Sequence, residues 1–267
     1  MMAGLPAHLS FRARRLRFNE GMINPALKAF ATGLMACLAL VTLGGCCCLK
    51  PAASPAPAAA SATKSPEQTA APAAPSPAIA TSAPAGSTAL FDGRSLAGWQ
   101  ITDFAGKGPV TAANGQINVG LGHMTGITLT NTNVMPVMNY ELSLEAMRVD
   151  GSDFFCGLTF PVGSNFCSFI VGGWGGGVVG LSSLNSEDAS QNETTKYLNF
   201  ANGRWFKIRV RVQPERIQAW IDNDAVVDVD TKEKQLGIRM EMESCTPVGL
   251  ATWNTAAAWR NILVRKL

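Results

Sequence analysis

Two glutamates in the C-terminal part of the chain have a spacing that could support cleavage of a glycosidic bond. Glu241 and Glu243 alternate with Met240 and Met242, so on a β-strand both carboxylates would project from one face. Glycosidases commonly use two carboxyl groups, about 5 Å apart in retaining enzymes and about 6.5 to 9.5 Å apart in inverting ones. The spacing makes Glu241 and Glu243 candidate catalytic residues. A solvated outer face is the alternative interpretation.

Asp153 and His123 are two further groups that could move a proton. Asp153 comes directly before an apolar segment, and His123 is the only histidine of residues 89–267. Imidazole titrates near neutral pH, so His123 could act as a general acid or base. Its position between Gly122 and Met124 in a loop-like stretch also fits simple exposure to solvent.

Aromatic side chains could bind a sugar ring by stacking. Trp174 lies within the glycine run 172–177, where the backbone can approach closely and present an indole, although a hairpin with a core tryptophan is equally open. Trp220 and Trp253 each fit either a second stacking platform or packing between sheets. Arg209, on the polar side of an alternating stretch, is a third substrate-binding candidate with Trp174 and Trp220.

The motifs indicate no cofactor, no metal site and no nucleic-acid partner. His, Cys and Asp do not cluster with zinc spacing, no loop matches an EF-hand, and no Lys-Ser/Thr follows the glycine run. A structural Ca²⁺ ion held by scattered loop carboxylates remains an open alternative. The net charge is only +3, and part of it lies in the arginine-rich stretch 12–17, which export would remove.

Cys156, Cys167 and Cys245 form an odd set for a domain in an oxidising compartment. At most one disulfide can form among them, most simply between Cys156 and Cys167 across adjacent strands. Buried free thiols are the other interpretation.

Short alternating segments must position these side chains. They are separated by Gly, Asn, Asp and Pro, and none has a helical period. Their spacing predicts an all-β fold, an antiparallel two-sheet jelly-roll sandwich. The predicted strands cover residues 116–119, 126–130, 140–146, 154–160, 167–171, 178–182, 205–212, 216–221, 225–229, 237–242, 249–252 and 258–264.

The N-terminal segment indicates export. An apolar run over 29–43 follows Lys28 and ends in Leu-Gly-Gly-Cys46, which resembles a bacterial lipobox. The run is shorter than the roughly 20 apolar residues that a membrane span needs. We therefore predict a lipoprotein signal, with a lipid on Cys46. An ordinary cleaved signal or a buried N-terminal helix is the alternative.

This prediction divides the chain into three parts. Residues 1–45 are an N-terminal extension and signal, with either Met1 or Met22 as the start. Residues 46–88 are rich in Ala, Pro and Ser and are predicted to be a disordered tether, and 89–267 form the domain. The protein would be exported and held at the outer membrane or periplasmic face, with the lipid as its only membrane contact.

Three segments of the domain resemble the 3-keto-disaccharide hydrolase family: LFDGRSLAGW over 90–99, Gly203-Arg204-Trp205, and WRNILVR over 259–265. The resemblance covers 90–267 and implies a concanavalin A-like jelly roll that cleaves or binds sugars. The centre departs from the family pattern. Residues 153–158 (DFFCGL) and 166–174 stand where the family has an Asn-Ser-Gly strand and then a strand bearing a glutamate, so no catalytic residue carries over by position.

The leading hypothesis is an envelope-anchored domain that acts on carbohydrate, with hydrolysis of 3-keto glycosides as its activity. A non-catalytic glycan-binding module and a structural or interaction lipoprotein are the alternatives. A cleft with two carboxylates would favour hydrolysis, an aromatic platform without such a pair would favour binding, and a charged sheet face without a pocket would favour a structural role.

Overall fold

The computed structural model describes residues 84–267, so the predicted signal over 1–45, Cys46 and residues 46–83 of the predicted tether lie outside the described residues. In chain order the described strands are β1 (Ser87–Ala89), β2 (Trp99–Ile101), β3 (Val110–Ala113), β4 (Gln116–Val119), β5 (Met124–Leu129), β6 (Tyr140–Gly151), β7 (Cys156–Val162), β8 (Asn165–Gly173), β9 (Val178–Ser182), β10 (Lys196–Tyr197), β11 (Trp205–Gln213), β12 (Arg216–Ile221), β13 (Asp224–Asp230), β14 (Gly249–Trp253) and β15 (Thr255–Lys266). Two 3₁₀ helices, Thr132–Val134 and Met240–Cys245, are the only helices of residues 84–267. Neither is long and apolar enough to cross a membrane.

The strands form two antiparallel sheets. The first sheet has the order β13-β12-β11-β6-β15-β4-β3, and β1 pairs with β15. The second sheet has the order β10-β9-β8-β7-β14-β5-β2. The predicted all-β fold, an antiparallel two-sheet jelly-roll sandwich, is confirmed.

The core lies between the two sheets, and strand alternation determines which residues fill it. The inward residues of β6 include Leu142, Leu144 and Ala146, all buried, and the facing strands of the second sheet supply apolar partners. Two buried hydrogen bonds tie the sheets together. The indole Nε1 of Trp259 donates to the carbonyl oxygen of Phe155 at 2.9 Å, and the Tyr140 hydroxyl donates to that of Pro161 at 2.6 Å.

One predicted strand, over 237–242, is wrong. Residues Met240–Cys245 form a 3₁₀ helix, so Glu241 and Glu243 do not share a strand face. Met242 and Cys245, three residues apart, lie on one side of this helix and are both buried, whereas Met240 is 78% exposed. Burial of one apolar pair with a period of three therefore overrides the two-residue alternation in the sequence.

The predicted disulfide alternative is also wrong. Cys156 on β7 pairs in register with Val171, whereas Cys167 on β8 pairs with Phe160. The two thiols are thus four residues apart along the strands, about 13 Å, which is beyond the reach of a disulfide. Both cysteines, and Cys245, are free and buried.

Candidate functional site

A cleft of about 240 Å³ lies on the outer face of the second sheet, the face that points away from the core. It combines strand residues with residues from the loops and the 3₁₀ helix that cover this face. Its lining consists of Met124, Asp153, Phe154, Ile170, Trp174, Ser182, Arg239, Glu241, Met242 and Trp253.

Small residues on the strands make room for the cleft walls. One row across the sheet consists of Ile170 on β8 and four small residues: Gly180 on β9, Gly157 on β7, Ala251 on β14 and Gly126 on β5. A Cβ atom on Gly157 would lie 3.0 Å from the Phe154 ring and 3.3 Å from the Met242 methyl group. The row therefore lets Phe154 and Met242 pack directly on the sheet, where they form walls of the cleft.

The glycine run after β8 is held by a buried arginine. Arg148 is 6% exposed, and its Nη2 donates to the carbonyl oxygens of Gly176 at 2.8 Å and Gly172 at 3.4 Å. Gly172 has a φ of +79°, and a Cβ there would lie 2.6 Å from Arg148 Nη2, so only glycine fits. Trp174, at the tip of this loop, is 43% exposed and presents its indole at the cleft. A core position for Trp174 is thereby excluded.

Asp153 closes the base of the same loop. Its carboxylate accepts hydrogen bonds from the backbone N–H of Phe154 at 2.7 Å and of Gly175 at 3.1 Å. Its own backbone N–H donates to Thr255 Oγ1 at 3.0 Å. The carboxylate is therefore fixed by protein donors while it lines the cleft.

The second carboxylate of the cleft is paired with an arginine. Arg239 contacts Glu241 through Nη2 at 2.9 Å and Nε at 3.3 Å, and its Nη1 contacts Asp188 at 3.0 Å. Hydrogen bonding from Arg239 holds the pKa of Glu241 below its ordinary value. Glu241 is therefore an anion near neutral pH and a poor proton donor.

Three aromatic rings are close to one another at the cleft. The Trp253 ring lies 4.4 Å from the His123 ring and 6.5 Å from the Phe154 ring, centroid to centroid. Trp253 is half-buried and lines the cleft, whereas His123 is exposed beside it. This cluster gives the cleft a broad aromatic surface.

The structure brings four of the sequence candidates together and separates the others. Asp153, Trp174, Trp253 and Glu241 line the cleft, and His123 contacts it through Trp253. Glu243 is exposed outside the lining, because the 3₁₀ helix turns it away from Glu241.

Trp220 and Arg209 lie on the outer face of the first sheet, away from the cleft. The Arg209 guanidinium stacks on the Trp220 ring at 4.0 Å, so Trp220 does not pack between the sheets. Glu141 on the same face contacts Arg209 at 3.4 Å, Arg211 at 2.9 Å and Arg265 at 3.2 Å. Burial would raise the pKa of Glu141, but these arginines outweigh burial and lower it. This face is occupied by its own ion pairs and stacks.

The lining residues Ser182 and Arg239 were absent from the sequence candidates. Ser182 is the last residue of β9 and Arg239 precedes the 3₁₀ helix, and neither belongs to a recognisable motif. Within residues 84–267, no three His, Cys, Asp or Glu side chains are grouped as metal ligands would be.

Comparison with known proteins gives a family match for the whole described domain. The family model of the 3-keto-alpha-glucoside-1,2-lyase-like domain matches residues 86–265. Among solved structures, a Parabacteroides distasonis protein proposed to be a glycosyl hydrolase has 13% identity and a TM-score of 0.44, with 68% of this chain and 94% of that chain covered. A carbohydrate-binding module from Bacillus subtilis has 12% identity and a TM-score of 0.42, with 63% and 96% covered. The Bacillus licheniformis β-glucanase has 12% identity and a TM-score of 0.44, with 68% and 98% covered. No curated protein matches the chain in sequence.

Proposed function

The chain belongs to the 3-keto-alpha-glucoside-1,2-lyase-like domain family, a carbohydrate-active family, and we propose that its cleft binds the sugar ring of a 3-keto glycoside and eliminates the group on C1. The observation that carries the proposal is the meeting of an aromatic surface with fixed polar groups in one cleft. Trp174 and Trp253 offer indoles for the C–H face of a pyranose, and Asp153, Glu241 and Arg239 offer partners for its oxygens.

The size of the cleft supports a small ligand. Pockets for drug-sized molecules occupy about 300 to 1,000 Å³. A volume of about 240 Å³ suits one sugar ring with the start of its substituent rather than a long glycan.

The charges of the cleft favour a base over an acid. Hydrolysis by two carboxyl groups needs one of them protonated at the start. Glu241 is held as an anion by Arg239, and Asp153 accepts two backbone hydrogen bonds. Glu241 is thus a poor proton donor, so elimination started by a base fits this cleft better than hydrolysis assisted by an acid.

The elimination consumes no water. In a 3-keto glycoside the proton on C2 is acidic, because the neighbouring ketone takes up the charge left behind. We assign Asp153 as the base that removes this proton, and Arg239 as the cation that stabilises the enolate oxygen. The electron pair then forms the C1–C2 double bond as the C1–O bond breaks, the departing oxygen leaves as an alcohol after protonation by solvent, and Asp153 returns its proton to solvent. The second product is a 2-hydroxy-3-keto glycal.

A non-catalytic binding module is the second candidate. It is favoured by the same fixed carboxylates, which could serve only to hold sugar hydroxyls. Lipid attachment at Cys46 and export belong to the proposal as well. They are supported by the order of Lys28, the apolar run over 29–43 and the cysteine.

The test uses the full-length protein in detergent with methyl 3-keto-α-glucoside and methyl α-glucoside as probes. Calorimetry measures binding, and ultraviolet absorbance follows the conjugated enone. Enone formation that is lost in Asp153→Asn but kept in Asp150→Asn, a matched change at an exposed carboxylate, supports the lyase. Binding without enone formation would exclude the lyase and support the binding module. If neither probe binds, both candidate functions are wrong.

A further inference from the structure

A row of hydroxyl groups crosses the outer face of the second sheet. Ser182 on β9 is in register with Ser168 on β8, which is in register with Thr159 on β7. Ser168 Oγ and Thr159 Oγ1 are hydrogen-bonded at 2.8 Å. Farther along, Thr128 Oγ1 and Thr102 Oγ1 are also 2.8 Å apart. Four of these five buried hydroxyls thus have a partner from the row.

Ser182 differs from its neighbours. It is 1% exposed, and its Oγ has no hydrogen-bonding partner among residues 84–267. Buried polar groups in folded proteins nearly always have a partner, because a buried hydroxyl without one destabilises the fold. Unlike Ser168 and Thr159, Ser182 lines the cleft. A ligand in the cleft could therefore supply the hydrogen-bonding partner that the protein does not.

We propose that Ser182 Oγ is a ligand-binding group that exchanges one hydrogen bond with an oxygen of the sugar at the floor of the cleft. This inference rests on the proposed function and adds a specificity-determining residue to the site. A hydroxyl both donates and accepts, so its partner can be a sugar hydroxyl or a ring ketone.

The position of Ser182 suits this role because the surrounding backbone is fixed. The next residue, Ser183, donates its N–H to the carbonyl oxygen of Gly237 at 2.7 Å and accepts from Gly237 N at 3.1 Å. This pair of bonds joins the end of β9 to the segment that leads to Arg239. Ser182 and Arg239 therefore lie on one rigid wall, and both can contact oxygens of the same ring.

The test compares Ser182→Ala with Ser168→Ala in the full-length protein. Ser182→Ala removes no bond within the protein, so its thermal midpoint should not fall, while the Kd for methyl 3-keto-α-glucoside should rise about three- to tenfold. Ser168→Ala leaves the Thr159 hydroxyl without its partner, so its midpoint should fall by about 2–4 °C with a Kd close to that of the wild type. A Kd unchanged in Ser182→Ala, or a lowered midpoint in that variant, would overturn the inference.

The ligand oxygen can be identified with a double-mutant cycle. Wild type and Ser182→Ala are each measured with methyl α-glucoside and with its 2-, 4- and 6-deoxy forms, and the 3-keto probe reports on the oxygen at C3. Removal of the oxygen that contacts Ser182 should weaken binding to the wild type and should leave the affinity of Ser182→Ala unchanged. The absence of coupling for every oxygen would refute the contact. Loss of all binding in the wild type would instead refute the proposed function, so the two failures are distinguishable.

Discussion

Replacement of Arg148 by Met should both destabilise the domain and weaken the cleft. The variant loses a strong hydrogen bond to the carbonyl oxygen of Gly176, a longer one to that of Gly172, and the stack on Phe155 at 5.2 Å. Hydrogen bonds to charged groups contribute about 1.5–3 kcal/mol each, and a cation–π contact about 0.5–2 kcal/mol. Methionine recovers part of this, because it fills the space and removes the cost of burying a charge. We expect a net loss of about 2–3 kcal/mol, or roughly 5–10 °C in thermal midpoint for a domain of this size.

The matched control is Arg204→Met. Arg204 also stacks on a phenylalanine ring, that of Phe206 at 4.4 Å, and pairs with Asp222, but its side chain is 59% exposed. Its replacement should cost less than about 1 kcal/mol. Denaturant unfolding measures both losses, and calorimetry with the 3-keto probe should give about a tenfold weaker Kd for Arg148→Met alone, because the ligand must then order the loop that carries Trp174. A loss below about 1 kcal/mol with unchanged binding would refute the role of Arg148 as the anchor of this loop.

Further predictions concern the other face, the aromatic tip, the thiols and the anchor. Glu141, with a lowered folded pKa, contributes stability that is present above its ordinary pKa and lost as the pH falls through the folded pKa. Glu141→Gln should therefore cost about 2–3 kcal/mol at pH 7 and flatten the acid decline in denaturant unfolding, whereas an unchanged decline would contradict this. Trp174→Ala should weaken binding of the probe about tenfold and change stability by less than about 0.5 kcal/mol, and equal affinity by calorimetry would remove Trp174 from the site. Burial raises the pKa of Cys167 and Cys245 to about 12, so mass spectrometry should find maleimide on them only after unfolding. Cys46→Ser should abolish incorporation of labelled palmitate and release the protein from membranes; retention of both would disprove the lipobox.

The fold was predictable because most strands carry a pattern long enough to exclude a helix. Residues 140–146 and 205–212 alternate over seven and eight positions, and both became central strands of the first sheet. The four residues 240–243 alternate too, but a pattern this short fits several backbone conformations. Tertiary packing determined the backbone conformation of this segment. Met242 and Cys245 lie on one side of the 3₁₀ helix and pack against the outer face of the second sheet.

The candidate site was only partly predictable. The glycine run pointed to Trp174, since so many glycines around one indole indicate close backbone approach. The sequence pattern does indicate Arg148. It continues the inward series of Leu142, Leu144 and Ala146 on β6, where a charged residue is unexpected. Ser182 has none, because only the three-dimensional row of hydroxyls identifies it as the one without a partner.

The pairing of β1 with β15 has a practical consequence for engineering. Ser87 is in register with Arg265, so the domain's two ends leave from neighbouring positions on the first sheet, whereas the cleft opens on the outer face of the second. The domain can therefore be spliced as a cassette into a surface loop of a carrier protein, or circularly permuted with a short linker across this junction. In the cassette format the carrier protein would lie next to the first sheet. In both formats the cleft would stay accessible to a ligand, as a biosensor requires.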